Sequence, residues 1–326
     1  MSSILTEDIS VFDLGFSWAK GKKNKKLFVQ PSIAGEAQPM FDTNIKPNDF
    51  FYEDTMFVGD LALRQSEIKY FTLNKQKSEA MTSEIILKTG LGYLNGSKKF
   101  NLITGLPILF YFNQMSEMEE MIVRLADSNP FEIKKGRSSF NKVKLNIDKY
   151  KIVPQGYGIA MNHLLNESGK IQNKADAKKK ILVVDLGFYT LNLLGLDGLE
   201  IMKESTSLFL GVEKAYKLLR KYLQELVGTA PAIYELDKYV ISGTYEGKDI
   251  RHLVAKAFKA LAIQIQNEIE GLNINFDMYM IGGGAARYIY EYLRLEEKSL
   301  YGQLDQVNGN EKVGARLWGN NMLLRA

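Results

Sequence analysis

The chain has 326 residues, 45% of them hydrophobic and 25% charged, with a formal net charge of +4 at neutral pH. That length allows one large or two medium domains with an ample core, and the mixing of acids and bases argues against direct nucleic-acid binding, which would concentrate lysines and arginines on one face. There is no cysteine and there are two histidines, His163 and His252, which excludes disulfide scaffolds, thiolate zinc sites, cysteine nucleophiles and multi-histidine metal centres.

Residues 1–8 carry acids and no basic flank ahead of an apolar core, so they are not expected to be a secretory signal. Residues 9–17 read as an apolar, β-rich strand that reaches Asp13-Leu14-Gly15-Phe16 and turns. A second strand follows from Ala19, through a basic turn at 22–26, into residues 26–30. The lysines of that turn, like those at 178–180, are expected to be solvated, the alternative being a contact with a partner or with further copies of the chain. Residues 42–54 show few periodic apolar positions and suggest a surface excursion of a smaller subdomain. Residues 100–107 read as a buried strand ending in a turn, 144–153 as a strand, and 155–167 as a helix containing His163. At 181–190 the first device returns: an apolar strand reaches Asp185-Leu186-Gly187-Phe188, with another strand behind it at 191–196.

From 211 to 227 the apolar positions Val212, Ala215, Leu218, Leu219, Tyr222, Leu223 and Leu226 fall at helical spacing. Residues 252–269 form another amphipathic pattern. A late strand at 277–281 runs into Gly282, Gly283 and Gly284, with a helix at 285–295 behind it. The longest apolar stretches, 102–112 and 181–196, are too short or are interrupted by Asp185, so no membrane span and a cytoplasmic protein are expected. The alternation predicts an α/β protein with mixed sheets. Asp185 stands 172 positions after Asp13. A device repeated at that distance indicates a duplicated domain rather than a solenoid, whose period is about 20–50 residues.

An Asp-x-Gly turn at the carboxyl end of a strand has a chemical use. Glycine lets the backbone approach a phosphate and offer its amide. The aspartate can hold a divalent cation through water, because magnesium keeps most of its hydration shell. Two such turns and a late glycine turn can clamp a polyphosphate. Taken singly, each has a plain structural reading: ordinary turns at Asp13 and Asp185, a flexible loop at 282–284, a helix start at Gln155 and a surface arginine at Arg287.

Asp13-Leu14-Gly15 with Lys20 resembles the first phosphate signature of the actin superfamily. Asp185-Leu186-Gly187 with Thr190 resembles the second. Met280 to Ala285 resembles the adenosine signature, and Val153-Pro154-Gln155-Gly156 the connecting segment that carries the hydrolytic polar residue. Thr104-Gly105-Leu106-Pro107 resembles a strand end of the ParM group of plasmid-segregation proteins. These marks run in the family's order along nearly the whole chain, which is identified as an actin-superfamily member of the ParM-like kind.

The resemblance implies an actin-like fold, a ribonuclease H-like duplicated pair of α/β domains with a nucleotide cleft between them. Domain I would take residues 1–165, with a smaller subdomain near 30–95 and residues 312–326 returning to it, and domain II 166–311. ATP or ADP with magnesium is implied as cofactor. Asp13 and Asp185 would hold the hydrated metal. Gly15, Phe16, Ser17 and Lys20 would meet the phosphates, Lys20 as a point charge on the β- and γ-groups. Gly187 and Thr190 would form the second phosphate turn, and Gly211 and Lys214 the sugar and base side. Gly282, Gly283 and Gly284 would let the backbone pass under the nucleotide, and Arg287 would stack on the adenine. Gln155 is implied to orient the attacking water, with Asp185 as its catalytic partner, since an amide is no base but can place a water.

Three departures stand out, the first being Gln155 where the ParM kind carries a glutamate after the proline of the connecting segment. Phe188 and Tyr189 replace the small residues usual after the second Asp-x-Gly, so their rings must point away from phosphate or the loop must differ. Asn192 stands where relatives often have aspartate. The resemblance further implies an ATP-dependent filament of copies of this chain, stabilised by an adaptor protein bound to centromere-like plasmid DNA. The alternatives are another bacterial actin-like filament, a sugar or acetate kinase of the same superfamily, and a chaperone-like or membrane-tethered ATPase. The last three are disfavoured by the lack of a further carboxylate motif for a substrate, of a following substrate domain, and of a strongly amphipathic, basic tail at 312–325, which leaves a filament with a non-plasmid role as the closest alternative.

Overall fold

A computed structural model describes residues 8–72 and 77–319. Residues 1–7, and the part of the 312–325 segment from 320 on, lie outside the described residues. The chain divides into two compact units, one running to Gln172 and resuming at Gln306, the other running from Asn173 to Asp305.

In the first unit the strand Ile9–Leu14 is the middle of a five-stranded sheet. Trp18–Lys23 pairs with it antiparallel and Lys26–Pro31 continues the meander. On the other side Lys99–Leu106 and then Asn146–Pro154 add in parallel. Ile9, Val11 and Phe12 are all buried, the mark of a strand covered on both faces. The helix Lys77–Asn95 packs against this sheet with Ile86 and Leu91 fully buried, and the helix Asp305–Trp318 meets Ile9 and Ile103 at Gly314.

A second, six-stranded sheet in this unit runs in the order Asn141–Val143, Phe131–Lys135, Phe50–Tyr52, Met56–Val58, Ile33–Glu36, Lys69–Phe71. The surface excursion expected at 42–54 is therefore only partly one. Asp42–Asn44 is an exposed 3-10 turn, but Phe50 and Phe51 are buried in the sheet, and Arg64 clasps Asp49 with bonds of 2.6 and 2.7 Å. Two of the turn lysines also depart from expectation, while Lys25 and Lys26 are exposed. Lys22 pairs with Glu311 at 2.8 Å, and Lys23 is buried with Nζ donating to Asn95 Oδ1 at 2.9 Å. Partners 70 or more positions away draw them in.

The second unit repeats the plan. Lys180–Leu186 is flanked by antiparallel Leu191–Asp197 on one side, and by parallel Met278–Gly282 and then Lys298–Leu300 on the other. Glu200–Ile201 and Thr206–Leu208 pair with the outer edge of Leu191–Asp197. Strand order and strand directions match those of the first sheet, so the repeated Asp-Leu-Gly marks a repeated topology. Helices Val212–Val227 and Arg251–Gly271 bury Leu219, Leu223, Phe258, Leu261 and Ile265 together with Leu182, Val184 and Ile281 of the sheet.

Two helices differ from expectation. The one expected at 155–167 spans Tyr157–Leu164, because Gly156 adopts a left-handed conformation at φ 90 and delays its start. The one expected at 285–295 is a single turn, Ala286–Ile289, tightening into Tyr290–Tyr292; Lys298 Nζ takes the carbonyls of Tyr290 and Leu293 at 2.8 and 2.6 Å and ends it. Among the described residues no helix is long and apolar enough to cross a membrane.

Candidate functional site

The two Asp-Leu-Gly hairpins are built alike. Asp13 stands opposite Lys20 in the first and Asp185 opposite Asn192 in the second. In each, the glycine amide closes a turn with a two-residue loop: Gly15 N–H to Trp18 O at 3.2 Å, and Gly187 N–H to Thr190 O at 2.8 Å.

In the first hairpin Asp13 is only 5% exposed. Lys20 Nζ donates to its Oδ2 at 3.1 Å, and Gln155 Nε2 donates to its Oδ1 at 3.1 Å. Three residues singled out from separate parts of the sequence thus meet on one carboxylate. The loop is tied back by its carbonyls: Gly15 O accepts from Ser32 Oγ at 2.6 Å, Phe16 O from Thr72 Oγ1 at 3.0 Å, and Ser17 O from the Ser32 amide at 2.8 Å. Ser32 and Thr72 carry no sequence mark of this role; they act from 17 and 56 positions away.

In the second hairpin Asn192 Nδ2 donates to Asp185 Oδ2 at 3.2 Å, and Ser207 Oγ donates to Asn192 Oδ1 at 2.6 Å. An amide fixed by a hydroxyl takes the place that the first hairpin gives to a cation. Gly187 O and Phe188 O accept from the Val212 and Glu213 amides at 3.1 and 2.9 Å, so the loop rests on the N-terminus of Val212–Val227. Gly211 permits this, since a Cβ there would stand 2.2 Å from Phe188 O. Phe188 packs against the core of this unit, its ring 5.9 Å from that of Tyr216. Tyr189 meets Phe188 edge-on at 4.8 Å; burial, and next the charge of Glu213, pushes its phenol above the usual tyrosine range. Thr190 is buried and Lys214 exposed.

The glycine turn joins the second hairpin from the side. Gly282 lies beside Asp185 in parallel register, Gly283 has φ 99 with its backbone against Leu186, and Gly284 is exposed. Arg287 is exposed; its Nη2 donates to Tyr288 OH at 2.6 Å, with the guanidinium 4.7 Å from the centre of that ring. With Tyr288, Phe258, Val254 and Tyr292 it lines a hollow of about 250 Å³.

The Gln155 amide donates to Leu106 O at 2.7 Å just past the strand Asn146–Pro154, and in the second unit the Tyr301 amide donates to Ile281 O at 2.8 Å just past Lys298–Leu300. Burial, with the charges of Asp305 and Asp176, pushes the Tyr301 phenol up to about 12.

His163 and His252 lie on helices, and among the described residues no cluster of three or more His, Asp or Glu could hold a metal ion. One carboxylate per hairpin does not cage a bare ion. It does suit a hydrated magnesium shared with phosphate oxygens.

Residues 12–158 match the family model described as the N-terminal domain of actin-like proteins. No curated protein matches the chain in sequence. Among solved structures, the fold is similar to that of the ParM of a 15-stranded filament from Clostridium botulinum, at 23% identity and a TM-score of 0.75, over 95% of this chain and 99% of that one. Similarity to Bacillus thuringiensis ParM with AMPPNP is 15% in identity with a TM-score of 0.67, over 96% and 98% of the two chains. An archaeal actin homologue matches at 16% identity and a TM-score of 0.71, over 94% and 99%.

Proposed function

From the actin-like, two-domain α/β fold of this chain, with an actin-like N-terminal domain at residues 12–158, we propose an ATPase that assembles into ATP-dependent filaments. The observation that carries the reading is the convergence of Lys20 and Gln155 on Asp13, in a hairpin that the second unit repeats around Asp185.

Each unit contributes one phosphate-binding hairpin, formed by Gly15, Phe16 and Ser17 in one and by Gly187 and Thr190 in the other. Lys20 supplies positive charge to the β- and γ-phosphates. Asn192 is neutral, so charge compensation by the protein falls to the first hairpin. Asp13 and Asp185 would hold hydrated magnesium, which when bound would neutralise charge on the phosphates. Gly282, Gly283 and Gly284 allow the nucleotide close to the backbone, Gly211 and Lys214 serve the sugar side, and Arg287 serves the base. Gln155 orients the attacking water, and Asp185 is its catalytic partner.

Hydrolysis weakens contacts between copies, and the cytoplasmic filament moves plasmid DNA through an adaptor protein. Solved ParM structures described as a filament, with AMPPNP and with ADP, support nucleotide use and self-assembly in this reading.

The test mixes the purified chain with ATP and magnesium and follows light scattering, phosphate release and pelleting, with negative-stain microscopy of the pellet. Filaments above a critical concentration are expected. A monomer at every concentration and with every nucleotide, together with phosphorylation of a sugar or acetate, overturns the reading in favour of a kinase.

A further inference from the structure

We infer that Gln306 is a positioning residue: it holds the backbone of Gly156 and through it aims Gln155. The inference rests on the reading of Gln155 as the water-orienting group.

Gly156 lies between Gln155 and the helix Tyr157–Leu164, and no side chain caps that helix from its own N-cap position. The Gly156 amide instead donates to Gln306 Oε1 at 3.2 Å, across 150 positions of sequence. Gln306 is 6% exposed, and its Nε2 is buried with no hydrogen-bond partner among the described residues. A buried side chain that spends its acceptor on one glycine amide and leaves its donor unused is a costly choice for packing alone.

The surroundings fix this bond. A Cβ on Gly158 would stand 2.1 Å from Gln306 O, and one on Gly309 would stand 1.7 Å from Gly158 O. Helices Tyr157–Leu164 and Asp305–Trp318 thus touch backbone to backbone and cannot slide past each other. Asp305–Trp318 also fastens the strand that carries Lys20. Asn308 Oδ1 and Glu311 Oε2 take Lys22 Nζ at 2.7 and 2.8 Å, and Glu311 Oε1 takes the Asn24 amide at 3.0 Å. One helix therefore sets both groups that converge on Asp13. Gln306 is also the residue at which the chain returns to the first unit.

Gln306→Met keeps side-chain length but cannot accept from Gly156. Gln306→Glu keeps an acceptor, and the first turn of a helix tolerates its charge. Hydrogen exchange on the nucleotide-free protein is read first across residues 154–158. The Gly156 amide is expected to exchange faster in Gln306→Met and near the parental rate in Gln306→Glu. Phosphate release is then measured at saturating ATP for the parent, Gln155→Ala, Gln306→Met and the double variant.

Gln306→Met should lower turnover about 10-fold, the scale of one misplaced hydrogen bond, at unchanged ATP affinity. Gln306→Glu should recover most of that loss. In the Gln155→Ala background Gln306→Met should add nothing, since it acts through the residue already removed. A full further loss in that background, or unchanged Gly156 exchange, overturns the inference. A parental rate in Gln155→Ala instead overturns the reading of Gln155 and the catalytic consequence with it, while exchange still decides whether Gln306 holds Gly156. Should Gln306→Met not fold, Gln306→Asn, too short to reach Gly156, carries the same comparison.

Discussion

Gly283→Ala tests how hard the late glycine turn presses on the second hairpin. Gly283 has φ 99, and a Cβ there would stand 2.2 Å from Leu186 O, 2.8 Å from Leu186 C and 2.9 Å from Leu186 N. All three are backbone atoms of the strand that ends just past Asp185, so no side-chain rotation relieves the clash. Placing an L-residue at positive φ costs roughly 1–2 kcal/mol, and overpacking against a fixed neighbour adds roughly 1–3 kcal/mol. Each kcal/mol moves the melting temperature of a domain of this size by about 2–4 °C, so a fall of about 5–15 °C is expected. Gly284 is the internal control. It is exposed, with its nearest neighbour, in Gln303, at 3.7 Å, so Gly284→Ala should move the midpoint by about a degree. The clash can ease only by parting Met278–Gly282 from Lys180–Leu186, which displaces Asp185, so ATP affinity should fall in Gly283→Ala alone. Calorimetric melting without nucleotide and titration with ATP and magnesium read the two effects. Equal midpoints in the two variants refute the close-approach argument; a lowered midpoint with parental ATP affinity refutes the link to Asp185.

Asp13→Ala and Asp185→Ala are each expected to abolish magnesium-dependent ATP binding or hydrolysis with the circular dichroism spectrum retained, and parental hydrolysis in both would sink the two-hairpin site. Gln155→Ala should slow phosphate release by about 10- to 1000-fold, by analogy with removal of one transition-state donor, with little change in ATP affinity and with slower filament decay after a fixed dose of ATP; parental release and decay would make Gln155 a turn residue. The Asp249 carboxyl is held down to about 2 by the Arg251 side chain and then by the Arg251 amide. A depressed carboxylate of this kind favours the folded state above the ordinary carboxylate range and loses that contribution as pH falls toward 2. In Arg251→Gln a carboxyl NMR titration should find Asp249 titrating at higher pH than in the parent, and an unmoved midpoint refutes the pairing.

The features legible in the sequence are those whose cause is local. A strand followed by a tight turn leaves its residue types in order, so both hairpins could be read from Asp-Leu-Gly between apolar runs. Periodic apolar positions placed Val212–Val227 within a residue. Where the cause is distant, the sequence carried no mark. Ser32, Thr72 and Ser207 hold loop carbonyls or a neighbouring amide across other elements, and a serine or threonine does that in any strand. Phe50–Tyr52 is three residues long, too short to show a period of two beside the turn residues around it. The helix Lys77–Asn95 contains Gly90 and Gly92, which weaken a helical reading; at Gly90 a Cβ would stand 2.3 Å from the Phe12 ring, so packing overrides propensity.

The duplication allows one more step, because equal topology makes positions comparable between the units. Asp13 and Asp185 are the same residue in the same register. Across the hairpin, Lys20 becomes Asn192, held by Ser207. That divergence leaves the cation in the first unit and a neutral amide in the second. The proposed chemistry therefore divides unequally: the first unit supplies the cation and Gln155, and the second supplies Asp185 and the closely approached glycine backbone. Substitutions at Lys20 and Gln155 should accordingly act on turnover, and substitutions at Gly211 and Gly283 on affinity.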